Sequence, residues 1–380
     1  MELSRELQEE LTRIRRQLHK IPEVAFDLPK TYKIIKEYLV NYGYTPKTVA
    51  KKGLVAVKQG KSKDAIAFRA DMDGLNVYEK NDVDYSSIHE GKMHACGHDG
   101  HMAILLGFAK VLSKIQSVNK TIILIFQPAE EGPGGAKEMI AEGVLDKYNV
   151  ESIFGIHIFP GLQQGKFGLT DGPLMAQNGE VDIRVEGSSS HGALPHQGSD
   201  AIVAASNLVM SFQNIPSRKV DPLEPSVVTL GTVSGGEARN IIPKNVKLTG
   251  TIRAFNTEIY DEIKKQMSSV CKGIEEMYDV KVKLDIRDFY PPVINDTKLY
   301  EKVRLGFDKA SVTKVKPLML AEDFSFYQQK VPGLFILLGS QNDQKGFNFP
   351  LHNGNFNFDE SILVDGVNAY LRICETLDVI

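Results

Sequence analysis

Cysteine is scarce in this chain: there are three in 380 residues, Cys96, Cys271 and Cys374. An odd number at such wide spacing argues against a disulfide framework. Cys271 falls in a helical pattern and Cys374 near a helical C-terminus, where each reads as a small buried hydrophobe. An excess of one charge is also lacking, with 45 Lys and Arg against 48 Asp and Glu. The chain therefore has no bulk electrostatic reason to bind nucleic acid or an anionic membrane. No run of about 18 apolar residues occurs. The N-terminal stretch MELSRELQEELTRIRRQLHK is charged and amphipathic, without the apolar segment of a signal peptide. A cytoplasmic protein is the expectation. Low-complexity linkers and obvious internal repeats are absent as well.

What is present is an ordinary globular composition, 42% hydrophobic and 24% charged. The length exceeds the roughly 100 to 200 residues of one core, which predicts two domains. Helical spacing covers residues 4 to 20 and 31 to 42, while GLVAVK (53 to 58) and AIAFRAD (65 to 71) have strand character. A helix from about His101 to Lys114, the apolar run TIILIF, a helix after GPGGA and the strand SIFGIHI follow. This alternation predicts an α/β domain with a mostly parallel central sheet flanked by helices. Between residues 173 and 289 the order becomes strand, helix, strand, strand, helix, strand, which predicts two helices on a four-stranded antiparallel sheet. The earlier style resumes at GLFILLGS and in a last helix near 360 to 376. Residues 1–172 and 290–380 thus form one domain, and 173–289 an α+β unit inserted into it.

The segment MHACGHDGHM places a cysteine, three histidines and an aspartate in ten residues. Cys96 and His98 stand two apart in a glycine-containing loop, so both can face one ion. Asp99 follows directly, as the acidic partner expected beside a metal-bound imidazole. His101 opens a helix, where it reads as a cap or packing residue as readily as a ligand; His94 is equally open. After the strand TIILIFQ comes PAEEG, with Glu130 and Glu131 at a strand's carboxyl end. In extended backbone the two would point opposite ways, one toward a metal and one toward a substrate. A ligand beside a general base suits a hydrolase. His157 in an apolar strand, His352 in a Gly/Asn/Pro-rich loop and the pair Asp71 and Asp73 after a strand complete the candidates.

RADMDGL, HACGHDGHMAILLG, FQPAEEGPGGA, GIHIFPG, SSSHGALPHQGSDAI, ARNIIP, GTIRAF, AEDFSFY and PLHNGNF occur here in one order. With these motifs the chain resembles, along nearly its whole length, the metal-dependent amidohydrolases related to aminoacylase and carboxypeptidase G. The nearest branch holds hippurate hydrolase, N-acetyldiaminopimelate deacetylase and the plant indoleacetyl-amino-acid hydrolases. The resemblance implies two divalent ions per subunit, held by Cys96, His98, Glu131, His157 and His352. A thiolate ligand leaves zinc, manganese, nickel and cobalt all admissible. It further implies Glu130 as general base, His191 as donor to the tetrahedral oxyanion and Asp73 as orienter of a ligand. Asn240 and Arg253 would recognise the product-side carboxylate; as a turn residue and a strand-face ion pair they also have structural readings. The first domain would be catalytic. The inserted one would act as lid and dimerisation domain, with a partner subunit's histidine and asparagine completing each site.

Two positions depart from the branch pattern, Asn76 and Gly354, where proline is frequent; both bear on loop rigidity rather than on ligands. The expected activity is hydrolysis of the amide of an N-acyl (N-acetyl) L-amino acid to a carboxylate and the free amino acid, with a small molecule as the partner. N-acetyldiaminopimelate deacetylation in lysine biosynthesis is the alternative, favoured by the QPAEEGPGGA form of its loop. A small-peptide metallopeptidase comes second but would need an acidic site for a free α-amine, and none is evident. A catalytically silent scaffold is disfavoured by the intact Cys96, His98, Glu130 and Glu131.

Overall fold

A computed structural model describes residues 4–380. The first helix, Arg5–His19, starts at Ser4, whose hydroxyl accepts a hydrogen bond from the Leu7 amide. Its apolar side chains Leu7, Leu11, Ile14 and Leu18 recur at helical spacing and are buried. Burial of each is worth about 1.5–3 kcal/mol. Arg15 and His19 share that buried face, so the stripe carries charge into the core.

The chain divides into two compact units. The first comprises the described part of Met1–Leu174, with Ile294–Lys316 and Asp323–Ile380. Its eight-stranded sheet has the order Lys47–Val49, Gly53–Lys58, Thr121–Gln127, Ala65–Asp71, Val150–Gln163, Gly333–Gln341, Phe167–Gly168, Val312–Thr313. The four central strands, Thr121–Gln127 to Gly333–Gln341, run parallel. Gly53–Lys58 and Phe167–Gly168 join them antiparallel. Thr121–Gln127 and Ala65–Asp71 are buried at every residue, as expected of parallel strands covered on both faces. The covering helices include His98–Lys114, which packs on strands Ala65–Asp71, Val150–Gln163 and Thr121–Gln127 and against helices Arg5–His19, Pro29–Asn41 and Ile362–Thr376. This is the mostly parallel α/β layer expected from the strand and helix alternation.

The second unit comprises Met175–Val293 and Pro317–Glu322. Its antiparallel sheet has the order Lys281–Asp288, Gln177–Glu186, Asn245–Ala254, Ser226–Gly235. Gln177–Glu186 alternates buried and open residues, the pattern of a sheet packed on one face. On that face lie helices Ala201–Arg218 and Thr257–Tyr278, capped by Asp200 and Asn256. Leu208, Phe212, Ile263 and Met267 form the core with Val181, Ile183 and Leu248. The short return Pro317–Glu322 groups with this unit because the Ala176 amide meets the carbonyls of Leu318 and Leu320. Among the described residues, no helix is long and apolar enough to cross a membrane.

Candidate metal centre

The loop before His98–Lys114 ends at Gly97, whose φ of +86° suits glycine. The helix therefore begins at His98, three residues earlier than its apolar spacing suggests. Gly100 follows in the first turn, and a Cβ there would stand 2.4 Å from Ile158 Cδ1. Lacking one, the helix start seats directly against the strand that carries His157.

Cys96, His98 and His157 converge, their donor atoms lying within 4.8 Å of one another. Cys96, Glu131 and His352 form a second such group. Cys96 belongs to both. Its Sγ lies 3.4 Å from His157 Nε2, and Glu131 Oε1 lies 3.2 Å from His352 Nε2. The tautomers follow from backbone acceptors. His98 Nδ1–H donates to the Asp73 carbonyl at 2.8 Å and His157 Nδ1–H to the Ile158 carbonyl at 2.8 Å. Both Nε2 atoms therefore keep a free lone pair. His98 Nε2 is buried and makes no hydrogen bond among the described residues. A buried nitrogen without a hydrogen bond, facing the carboxylates of Asp71, Glu130 and Glu131, is costly unless something binds it.

Glu130 and Glu131 lie in a turn rather than in extended backbone, which corrects the expectation that they diverge. Glu130 Oε2 is 4.0 Å and Glu131 Oε1 3.9 Å from His98 Nε2. Both carboxylates thus approach the same imidazole. The turn enters through Ala129 at φ +59°, an uncommon conformation outside glycine. Asp73 pins it, its Oδ1 accepting from the Glu130 amide at 2.9 Å and its Oδ2 from the Glu131 amide at 3.1 Å. His352 also has a positive φ, +63°. Its amide donates to the Ala95 carbonyl at 2.8 Å, and the Lys80 amide donates to the Gly354 carbonyl at 2.7 Å. A Cβ at position 354 would meet the Tyr78 carbonyl oxygen at 2.3 Å, so this close approach excludes any larger residue in the present loop geometry.

The charges suit a cation. Burial, with Glu131 and Glu130 nearby, pushes the Cys96 thiol well up, and burial with Glu131 raises the Asp73 carboxyl. Burial and the neighbouring His101 hold His157 neutral. Burial opposes ionisation of Glu131, but His352 and His98 outweigh it and lower its pKa. Soft thiolate, imidazole and carboxylate donors crowded in a buried negative pocket fit divalent transition ions.

Asp99 corrects the sequence expectation. It turns away from the His98 imidazole and accepts from Arg15 Nε at 2.7 Å, with His19 Nδ1 at 2.7 Å from the same oxygen. Arg15 also reaches Asn357 Oδ1, and His19 Nε2 lies 3.0 Å from Glu79 Oε1. A second buried network was not evident in the sequence. Arg69 Nη1 donates to Asp71 Oδ2 at 2.6 Å, Arg69 Nη2 to Asp323 Oδ1 at 2.7 Å, and Arg69 Nε to Gln127 Oε1 at 2.9 Å. Asp71 is thereby committed to Arg69 and to His101, whose Nδ1 lies 2.7 Å from Asp71 Oδ1. The only outward signals were the charged residues of FRAD, the polar Gln127 ending the strand TIILIFQ, and the motif AEDFSFY.

In the inserted unit, His191 and Asn240 lie on adjoining loops, where the Gly192 amide donates to the Asn240 carbonyl at 2.7 Å. Arg253 lies on strand Asn245–Ala254, donating to Thr251 Oγ1 and to the Ile252 carbonyl.

A model of peptidase family M20/M25/M40 matches residues 67–376. N-acetyldiaminopimelate deacetylase of Bacillus pumilus is 38% identical over 371 residues, covering 95% of this chain and 96% of that one. N-acetyl-L-cysteine deacetylase of Bacillus subtilis is 37% identical over 363 residues, covering 94% and 86%. Among solved structures, a dinuclear metal-binding peptidase of the M20 family from Bacillus subtilis superposes with a TM-score of 0.86 at 30% identity, covering 99% of each chain. On the match to the family model and on relatives aligned along nearly its whole length, the chain belongs to peptidase family M20/M25/M40 and is a metal-dependent amidohydrolase.

Proposed function

We propose that the chain hydrolyses the amide bond of N-acyl L-amino acids, N-acetyl compounds above all, releasing a carboxylate and the free amino acid. One observation carries this reading: two donor groups, Cys96/His98/His157 and Cys96/Glu131/His352, share a single thiol. These residues would hold two divalent ions. When bound, the ions would supply Lewis acidity toward water and the amide carbonyl.

The chain's own groups do the rest. Glu130 is buried beside His98, where it takes a proton from the attacking water and returns it to the departing amine nitrogen. Asp73 holds the amides of both glutamates and, through its carbonyl, the His98 ring. It sets the base and the ligands by one short segment. In the same proposal His191 donates to the oxyanion, and Asn240 and Arg253 recognise the product carboxylate. A homodimer joined through the inserted unit and a cytoplasmic site of action belong to this reading. In support, Ile202, Val203, Met210 and Val233 are exposed on that unit.

Deacetylation of N-acetyldiaminopimelate is the second reading, favoured by the 38% identity to the Bacillus pumilus enzyme of that name. Both are tested by measuring amine release from N-acetyl-L-diaminopimelate, N-acetyl-L-cysteine, hippurate and short dipeptides with metal-reconstituted protein. Glu130→Ala is expected to lower kcat about 10²- to 10⁴-fold with metal content unchanged. Strong preference for N-acetyl-L-diaminopimelate would select the second reading. Turnover that survives Glu130→Ala would refute the base.

A further inference from the structure

We propose that His101 is a positioning residue for His157, acting by holding the backbone of Ile158 through its amide. The inference rests on the reading of His157 as a metal donor. Strand Val150–Gln163 pairs with Ala65–Asp71 only as far as Gly155, which faces Arg69. Beyond that point the Ile158 amide has no neighbouring strand on that side, and a buried amide needs an acceptor. His101 supplies it, its Nε2 accepting from Ile158 N–H at 2.8 Å.

The next peptide group, on the far side of the Ile158 Cα, orients the ligand. The Ile158 carbonyl accepts from His157 Nδ1–H at 2.8 Å, which turns His157 Nε2 toward Cys96 at 3.4 Å. At its other end His101 is fixed by Nδ1–H donating to Asp71 Oδ1 at 2.7 Å, and Asp71 is fixed by Arg69 at 2.6 Å. Both ring nitrogens of His101 are thus engaged, so it is a strut and not a donor, although it stands close to Asp71 and His98. The His101 and His157 rings meet edge to face, their centroids 4.6 Å apart. Rotation of His157 away from Cys96 would break the carbonyl bond and disturb this contact together.

Two conservative substitutions separate the ends of the strut. In His101→Asn, the side-chain amide keeps a donor for Asp71 and is too short to accept from Ile158. In His101→Gln, the longer amide keeps an acceptor for Ile158 and gives up the donor to Asp71. Metal-free full-length protein is titrated with cobalt(II), reading the thiolate-to-cobalt charge-transfer band and the number of ions bound; circular dichroism follows folding. His101→Asn is expected to weaken one of the two ions about 10- to 100-fold, the same ion that His157→Ala removes. His101→Gln is expected to bind both as the wild type does. Wild-type titration of both His101 variants, loss in His101→Gln alone, or equal loss of both ions in His101→Asn would each overturn the proposal. If His157→Ala itself bound two ions as the wild type does, the donor reading would fail, and the inference with it. A wild-type His101→Asn beside a one-ion His157→Ala would refute the strut alone.

Discussion

Arg15 lies with His19 on a helix face otherwise occupied by leucines and an isoleucine, and its guanidinium ends fully buried against Asp99. Such a pair contributes little by existing, but removing one partner strands the other charge in the core. Arg15→Met is expected to destabilise the fold by about 3–5 kcal/mol, measured by urea unfolding. Adding Asp99→Asn should recover much of the loss. A single-variant loss below about 1 kcal/mol would show that the pair behaves like an exposed bridge. The convergence of Cys96, His98, Glu131 and His352 was legible because each falls in a short stretch of telling composition. Asp99 was misread, since the direction of its side chain is decided by Arg15, 84 residues away. Arg69 and Asp323, 254 residues apart, met for the same reason without any local trace.

Continuous apolar runs such as TIILIFQ marked the central strands of the parallel sheet, because burial on both faces leaves no alternation to confuse. The start of His98–Lys114 was less legible, since a left-handed glycine and not an apolar residue sets it. The Glu130–Glu131 turn was hidden likewise, for Ala129 gives no sign of its positive φ. Gly100 allows a direct prediction at this scale. In Gly100→Ala the new Cβ meets Ile158 Cδ1 and Phe358, and the overpacking should cost about 1–3 kcal/mol. Ile158→Val removes that Cδ1, so the double variant should regain part of the loss in the same denaturation assay. No recovery would place the strain elsewhere.

The whole molecule should respond to pH through His19. Burial and Arg15 push its pKa down, but Asp99 and Glu79 outweigh them and raise it above 6.5. The protonated ring therefore contributes its stability in full below about pH 6.5, and that contribution is lost as pH rises through the folded value. Thermal melts of the wild type should fall across that window, and those of His19→Gln should fall less. Equal slopes would remove His19 from the account. Ions bound only by the folded state also stabilise it, by about 2.7 kcal/mol at a hundredfold excess over Kd. Chelation is expected to lower the Tm and re-addition to restore it; coincident melts would mean that the folded chain holds no ion.

Val150–Gln163 and Gly333–Gln341 lie side by side in register from Ile153 opposite Gly333 onward, although the inserted unit separates them in sequence. The insertion is a detour whose two ends are held together by the pairing of Gly172–Met175 with Val293–Asn295. Loop-closure entropy grows only by about 0.6 kcal/mol for each doubling of loop length, so the first unit is nearly indifferent to how long that detour is. A nick at the exposed Leu223 would leave its two halves interlocked through the paired strands. Glu131 and His352, one on each side of the cut, would remain 3.2 Å apart.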